Sequence, residues 1–179
     1  MSVTIRPFRA RDARAVLELY LRNREFLAPF DPIRPESFYT AEGQAVDAAR
    51  AEADREADRG YGFVIVEEST GDAVGRISLS NVVRGAWDNA TLGYFVDGER
   101  NGRGYATQAV RQVVGFAFSN AGLHRVQAAV MPTNVASARV LQKNGFRCEG
   151  RSPRYLRIAG AWEDHDVYAV TAEEWPPPS

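Results

Sequence analysis

The chain is poor in the residues that form crosslinks, bind metals or carry a mobile positive charge. It has one cysteine, Cys148, and two histidines among 179 residues. A single thiol excludes an internal disulfide framework and suits a reducing compartment. In a strand-like stretch, Cys148 is expected to be a small apolar filler rather than a catalytic thiol. Neither histidine stands at metal-ligand spacing to the other or to the cysteine, so no metal site is expected. Of the 22 basic residues only Lys143 is a lysine, so positive charge rests on arginine, whose planar fork suits carboxylates and phosphates. A net charge of −1 supplies no basic surface for coating nucleic acid, and no direct nucleic-acid binding is expected. No run of about 18 apolar residues occurs, and no charged-then-apolar leader opens the chain. No membrane span is expected, and the cytoplasm is the default compartment.

What remains is ordinary for a globular protein, with 45% hydrophobic and 25% charged residues and no internal repeat. The length suits one domain, residues 1–175, followed by a proline-rich tail at 176–179 that is expected to be disordered. Val3 to Arg6 reads as a first strand. Asp12 can cap a helix whose apolar face is Ala13, Val16, Leu17, Tyr20 and Leu21. Three prolines between Phe26 and Pro35 forbid a continuing helix and predict a loop with aromatic anchors. A weakly amphipathic, alanine-rich helix then runs from about Thr40 to Asp58. Strands are predicted over Tyr61–Glu67, Gly75–Leu79 and Thr91–Val96, with turn residues between them.

After Val96 the apolar period changes from 2 to 3.6. Ala106, Val110, Val113, Val114 and Ala117 define a helix with Gly122 as its stop. His124–Val130 alternates as a strand, and Asn134–Asn144 reads as a short helix ended by a left-handed Gly145. Two last strands, about Phe146–Ile158 (interrupted near Pro153) and Trp162–Val170, turn at Ala159-Gly160. The order β-α-α-β-β-β-α-β-α-β-β indicates an α+β fold, one mostly antiparallel sheet covered by about four helices.

The chemistry-bearing segment is Leu92-Gly93-Tyr94-Phe95-Val96 followed by Asn101-Gly102-Arg103-Gly104-Tyr105-Ala106-Thr107. It is a strand, a glycine-rich turn and a helix start. Backbone N–H groups at a helix N-terminus form an anion site, and glycine lets phosphate oxygens approach the main chain, so a pyrophosphate ligand is expected. The Gly-x-x-x-x-Gly-Lys-Ser/Thr pattern of a P-loop is absent. The third glycine and the later acidic residue of a dinucleotide fingerprint are absent too. Directly after the next strand comes Met131-Pro132-Thr133-Asn134-Val135-Ala136-Ser137, continuing through Lys143 to Phe146.

Together these segments resemble the GNAT acetyltransferase superfamily. Its Gln/Arg-x-x-Gly-x-Gly/Ala loop is matched by Asn101, Gly104 and Ala106, with Asn101 in place of the usual Gln or Arg. Asn23–Phe30, Ser80–Gly85, His124-Arg125 and Gly160-Ala161-Trp162 with Asp164-His165 are similar to the RimJ type of ribosomal-protein alanine N-acetyltransferase. The resemblance implies acetyl-coenzyme A as acyl donor, lying between two splayed strands. Backbone of Tyr94, Phe95 and Val96 would meet the pantetheine and thioester. Asn101 to Thr107 would hold the pyrophosphate, Asn134 the pantetheine, and Lys143 would lie near the adenosine. An oxyanion donor is expected at the N–H of Phe95 or Val96.

Many members of the superfamily use a tyrosine as acid where this chain has Leu141. RimL-type enzymes use a serine matched by Ser137, which is therefore either the general acid or a cofactor hydrogen bond. The RimL-type glutamate base aligns with Leu156, so Glu36 or Asp164 is the candidate base, and Phe30, Glu36, Asn81 and Trp162 are candidate acceptor contacts. The implied acceptor is the α-amino group of a protein or peptide N-terminus, possibly a ribosomal protein. A small-molecule amine or a non-catalytic acetyl-CoA sensor are the rival readings, and a monomer or homodimer is left open. An α-amino group titrates near ~7.7–8.0 and lysine near ~10.4, so an N-terminus makes a weak demand on the base.

Overall fold

A computed structural model describes residues 1–175; the expected tail at 176–179 lies outside them. Seven strands form one sheet in the order β1-β2-β3-β4-β5-β7-β6. They are β1 (Val3–Pro7), β2 (Tyr61–Glu67), β3 (Ala73–Val83), β4 (Asn89–Val96), β5 (Arg125–Val130), β6 (Arg147–Ile158) and β7 (Ala161–Thr171). Five α-helices accompany them among the described residues: α1 (Ala13–Arg22), a single turn α2 (Arg24–Leu27), α3 (Ala41–Glu56), α4 (Tyr105–Ser119) and α5 (Val135–Lys143). The α+β class and the order of the strands and the four longer helices follow the sequence reading; α2 does not, since Phe26 and Leu27, expected in the loop, complete one helical turn before Pro29.

Strand β2 buries both faces. Phe63 and Ile65 of β2 join α4 in one core, while Val64 and Val66 join Phe8, Val16, Tyr20 and Ala48 beneath α1 and α3. The α4 face is Tyr105, Ala109, Val110, Val113, Val114 and Ala117, all fully buried or nearly so. Its outer side also closes a sheet edge: Gln112 Oε1 accepts from Ile5 N–H and its Nε2 donates to Val3 O, 3.0 and 2.7 Å. Gln108 accepts from Val3 N–H at 3.1 Å. An edge strand that would otherwise offer free N–H and C=O groups is thereby covered.

Three expectations are corrected. The buried stripe of α1 is Ala13, Val16, Leu19 and Tyr20, and Leu21 is 49% exposed. Packing against β3 and α3 chose the face, and the leucines at 17, 19 and 21 left the sequence ambiguous. Asp12 does not cap α1 through its side chain. Its buried carboxylate instead accepts from Arg6 and from Arg9 N–H, at 2.7 and 3.0 Å. Cys148 is in a strand but exposed, because β6 is the outermost strand and carries few covered residues.

The expected break near Pro153 is a register shift between Ser152 and Leu156, with Arg154 at φ +48°. Ala159 and Gly160 turn the hairpin with positive φ at both positions, the backbone that matches strand twist in a two-residue loop.

All neighbouring strands are antiparallel except β4 and β5. That parallel pair holds only over Asn89–Thr91 against Arg125–Gln127. Beyond Thr91, β4 continues beside β3 to Val96 and β5 continues beside β7 to Val130. A wedge therefore opens between β4 and β5 in the middle of the sheet, as the resemblance implied.

Candidate active site

Strand alternation decides which backbone groups face the wedge. Asp97 N–H donates to Val74 O at 2.8 Å, and the β3–β4 register runs unbroken from there to Ser80. With period two, Phe95 and Gly93 also direct N–H and C=O toward β3, whereas Tyr94 and Val96 direct theirs into the gap. Of the two expected backbone donors, Val96 thus faces the wedge and Phe95 does not; Tyr94 does. An extended ligand can pair with this edge as an added strand would.

The mouth of the wedge is the turn that enters α4. Gly102 and Gly104 have φ +76° and +78°, left-handed values that glycine adopts without strain. Gly104 is the N-cap of α4, no side chain caps that end, and no acidic residue lies in the first turn. The amides of Tyr105, Ala106 and Thr107 are left with the partial positive charge of a helix N-terminus. Arg103 is exposed beside them without an acidic partner among the described residues.

The turn is anchored from beneath by Glu67, at the end of β2 and 2% exposed. Tyr105 donates its hydroxyl to Glu67, and Arg100 donates at 2.5 Å. The Tyr105 hydrogen bond, with Arg100 beside it, holds the Glu67 carboxyl below its ordinary range. A second clamp lies at the other side. Buried Asp97 accepts from Arg22 at 2.8 Å and from Asn23 at 3.1 Å, and Asn23 Oδ1 accepts from Gly98 N–H at 2.8 Å.

On the opposite wall, Asn134 is the N-cap of α5 and accepts from Ser137 N–H at 3.1 Å. Its Nδ2 hydrogens have no partner among the described residues, so they are available to a ligand carbonyl. Ser137 Oγ lies 2.9 Å from the Tyr94 hydroxyl, bridging the wedge from α5 to β4. Lys143 ends α5, exposed. Asn144, fully buried, donates to Thr107 O at 3.2 Å and Val140 O at 2.9 Å and so fixes α5 against the first turn of α4.

The candidate acceptor residues divide. Glu36 lines a cavity of about 280 Å³ with Tyr20, Arg24, Ile33, Arg34 and Ala159, between the proline-rich loop and the β6–β7 hairpin. The two are tied, Ala159 N–H donating to Asp31 O at 3.1 Å. Phe30 and Trp162 are exposed, 39% and 62%, on the same loop and hairpin. Asn81 is elsewhere. It lines a different cavity of about 490 Å³, beside α3 with Asp47 and Ser78.

Both expected bases have hydrogen-bond partners. Arg24 pairs with Glu36 through both guanidinium nitrogens and holds its carboxyl below the ordinary carboxylate value. Asp164 accepts from Arg154 N–H at 2.9 Å and so caps the β6 irregularity. His165 is buried, and its Nδ1 donates to Glu163 O at 2.9 Å, a structural bond. Glu67, Asp97 and Asn144, which hold the site together, were not foreseen. Each acts through partners distant in sequence, so spacing carried no sign of them.

A splayed sheet, a left-handed glycine at a bare helix N-terminus and an asparagine-capped helix across the gap thus stand together around one wedge. The family model for the acetyltransferase (GNAT) domain matches residues 2–147. The probable N-acetyltransferase YjcK of Bacillus subtilis is 41% identical over 169 residues, 94% of this chain and 93% of that protein. The ribosomal protein uS5-alanine N-acetyltransferase of Escherichia coli is 30% identical over 175 residues, 98% and 90%. The structure of Mycobacterium smegmatis RimJ in complex with CoA-disulfide has a TM-score of 0.92 and 36% identity, covering 99% of this chain and 85% of that one. The chain belongs to the GNAT acetyltransferases. It is an acetyl-CoA-dependent N-acetyltransferase.

Proposed function

We propose that the enzyme acetylates the α-amino group of a protein or peptide N-terminus, with a ribosomal protein as the acceptor class. The observation that carries this reading is the state of the carboxylates around the acceptor cavity. Of the carboxylates lining it, Glu36 is paired with Arg24 and Asp31 with Arg34. A site without an uncommitted base suits an amine that is partly neutral near pH 7, which an α-amino group is and a lysine is not. Likeness to the uS5-alanine and RimJ enzymes over nearly the whole chain supports the same acceptor.

Acetyl-CoA supplies the activated acyl group as a thioester. In this reading the amides at the start of α4 bind its pyrophosphate, and Asn134 Nδ2 and the Val96 edge orient the pantetheine. A gap-facing N–H, from Tyr94 or Val96, stabilises the charge that develops on the acyl oxygen. Ser137 donates a proton to the departing sulfur. The loop of residues 28–36 and the β6–β7 hairpin form the cavity through which a small N-terminal residue enters.

The test is a thiol-release screen of short peptides with free or blocked N-termini, run beside small amines. Turnover confined to free N-termini is expected. Turnover with blocked peptides, or with small amines alone, would reject the assignment.

A further inference from the structure

A side-chain contact, Tyr94 to Ser137, crosses the wedge, and the functions assigned above do not use it. Tyr94 stands on β4 and Ser137 in the first turn of α5, 43 positions apart, with hydroxyl oxygens at 2.9 Å. The Tyr94 oxygen is also 3.3 Å from Ser137 O, so its single hydrogen has two acceptors on α5, of which Ser137 Oγ is the nearer. Ser137 is itself located by Asn134, whose side chain accepts its N–H. The serine is thus held from two sides.

We propose that Tyr94 is the positioning and proton-resupplying partner of Ser137. Its hydroxyl donates to Ser137 Oγ and turns the serine's own O–H toward the sulfur of the acyl donor. This rests on the reading of Ser137 as the acid. A serine alone is a poor acid for this step, because it is left as an alkoxide. With Tyr94 donating, the charge comes to rest on a phenolate instead, a weaker base. The balance is complete: the carbon–sulfur bond breaks with its electron pair on sulfur. Ser137 gives its proton to that sulfur, and Tyr94 gives its proton to Ser137. The proton shed by the acceptor nitrogen as the amide forms returns to Tyr94 through solvent. Burial pushes the phenol up to about 12, with the Ser137 bond opposing that shift and no charged side chain contributing. Tyr94 is therefore protonated at working pH and able to donate.

The first arm of the test needs no acceptor. Coenzyme A is bound to the protein, and ionisation of its thiol is followed by thiolate absorbance against desulfo-coenzyme A. Hydrogen bonding to a charged form favours it, so the bound thiol is expected to ionise below the free-thiol value of ~8.5. Ser137→Ala should raise it, Tyr94→Phe should raise it part of the way, and the double variant should equal Ser137→Ala. Steady-state kinetics should move in parallel. A kcat loss of ~10²-fold or more is expected for Ser137→Ala and roughly 10-fold for Tyr94→Phe, within the range of general acid catalysis, at unchanged KM for acetyl-CoA. Tyr94→3-fluorotyrosine, which keeps the packing and acidifies the phenol, covers the case of a misfolded Phe variant and should lower the thiol ionisation point. A silent Tyr94→Phe beside an impaired Ser137→Ala would overturn the relay alone. A silent Ser137→Ala would overturn the acid assignment and the relay with it. Neither result depends on which amine is the acceptor.

Discussion

In a Gly104→Ala variant the added methyl group would meet only Gln108 Nε2, at 3.8 Å, so nothing in the free protein obstructs it. The cost to folding is the backbone's: φ is +78°, and a left-handed conformation costs an L-residue ~1–2 kcal/mol. For a domain of this size that corresponds to a Tm loss of about 2–4 °C per kcal/mol. The effect on ligand should be larger. If the methyl group forces one charged oxygen off its amide, a hydrogen bond to a charged group worth ~1.5–3 kcal/mol is lost, and the Kd for coenzyme A rises roughly 10- to 150-fold. Gly122→Ala is the control. Its φ is +62° and nothing lies within 4 Å, so it imposes a similar strain beyond the other end of α4. A 15-residue helix separates the sites by ~22 Å. Thermal unfolding and titration calorimetry on both variants give the answer. Equal Tm losses with a weakened Kd only at Gly104 are expected. A Gly104→Ala protein that loses stability but binds coenzyme A normally would refute the placement of the pyrophosphate at this turn.

Asn134→Asp should leave Tm within about a degree, since either residue caps a helix equally well. It should weaken coenzyme A binding by ~10-fold or more, because a carboxylate has no hydrogen to donate; unchanged affinity by calorimetry would remove Asn134 from the pantetheine site. Although burial raises the Asp97 pKa, hydrogen bonds from Arg22 and Asn23 hold it below the ordinary value. Its stabilisation is therefore present above the unfolded pKa, ~3.9, and lost as pH falls through the lower folded value. The urea-unfolding penalty of Asp97→Asn should be full at pH 7 and shrink in acid; a pH-independent penalty would contradict this. Glu36→Gln should leave kcat within about threefold, well under the ~10²-fold or more that losing a general base costs, and should leave the acid limb of the pH–rate profile in place. A collapse of kcat would restore Glu36 as the base.

The order of elements was legible because periodicity and turn residues are local properties. Gly145 after α5 and the Ala159-Gly160 hairpin turn announce themselves through the backbone they require. The α1 face was not legible, since Leu17, Leu19 and Leu21 satisfy the period about equally and packing against other elements made the choice. Asp12 looked like a cap because Arg6, six residues earlier, gave no hint of claiming it. Cys148 was placed in the core because its strand's position at the sheet edge is a tertiary fact. In the site, the turn that enters α4 could be read from its glycines. That Val96 and not Phe95 faces the gap required the register with β3, and the partners of Glu36 and Asp164, the Arg24 side chain and the Arg154 amide, are set by the fold.

The acceptor is decided most directly by mass spectrometry on one peptide that carries both a free N-terminal alanine and an internal lysine. The peptide is incubated with the enzyme and acetyl-CoA between pH 6 and 8, and the acetylated position is read from the fragment ions. The account predicts acetyl on the α-amino group alone, with a rate that rises across this range and an apparent pKa near ~7.7–8.0. Acetyl found mainly on the lysine side chain, or no modified peptide while small amines turn over, would contradict it.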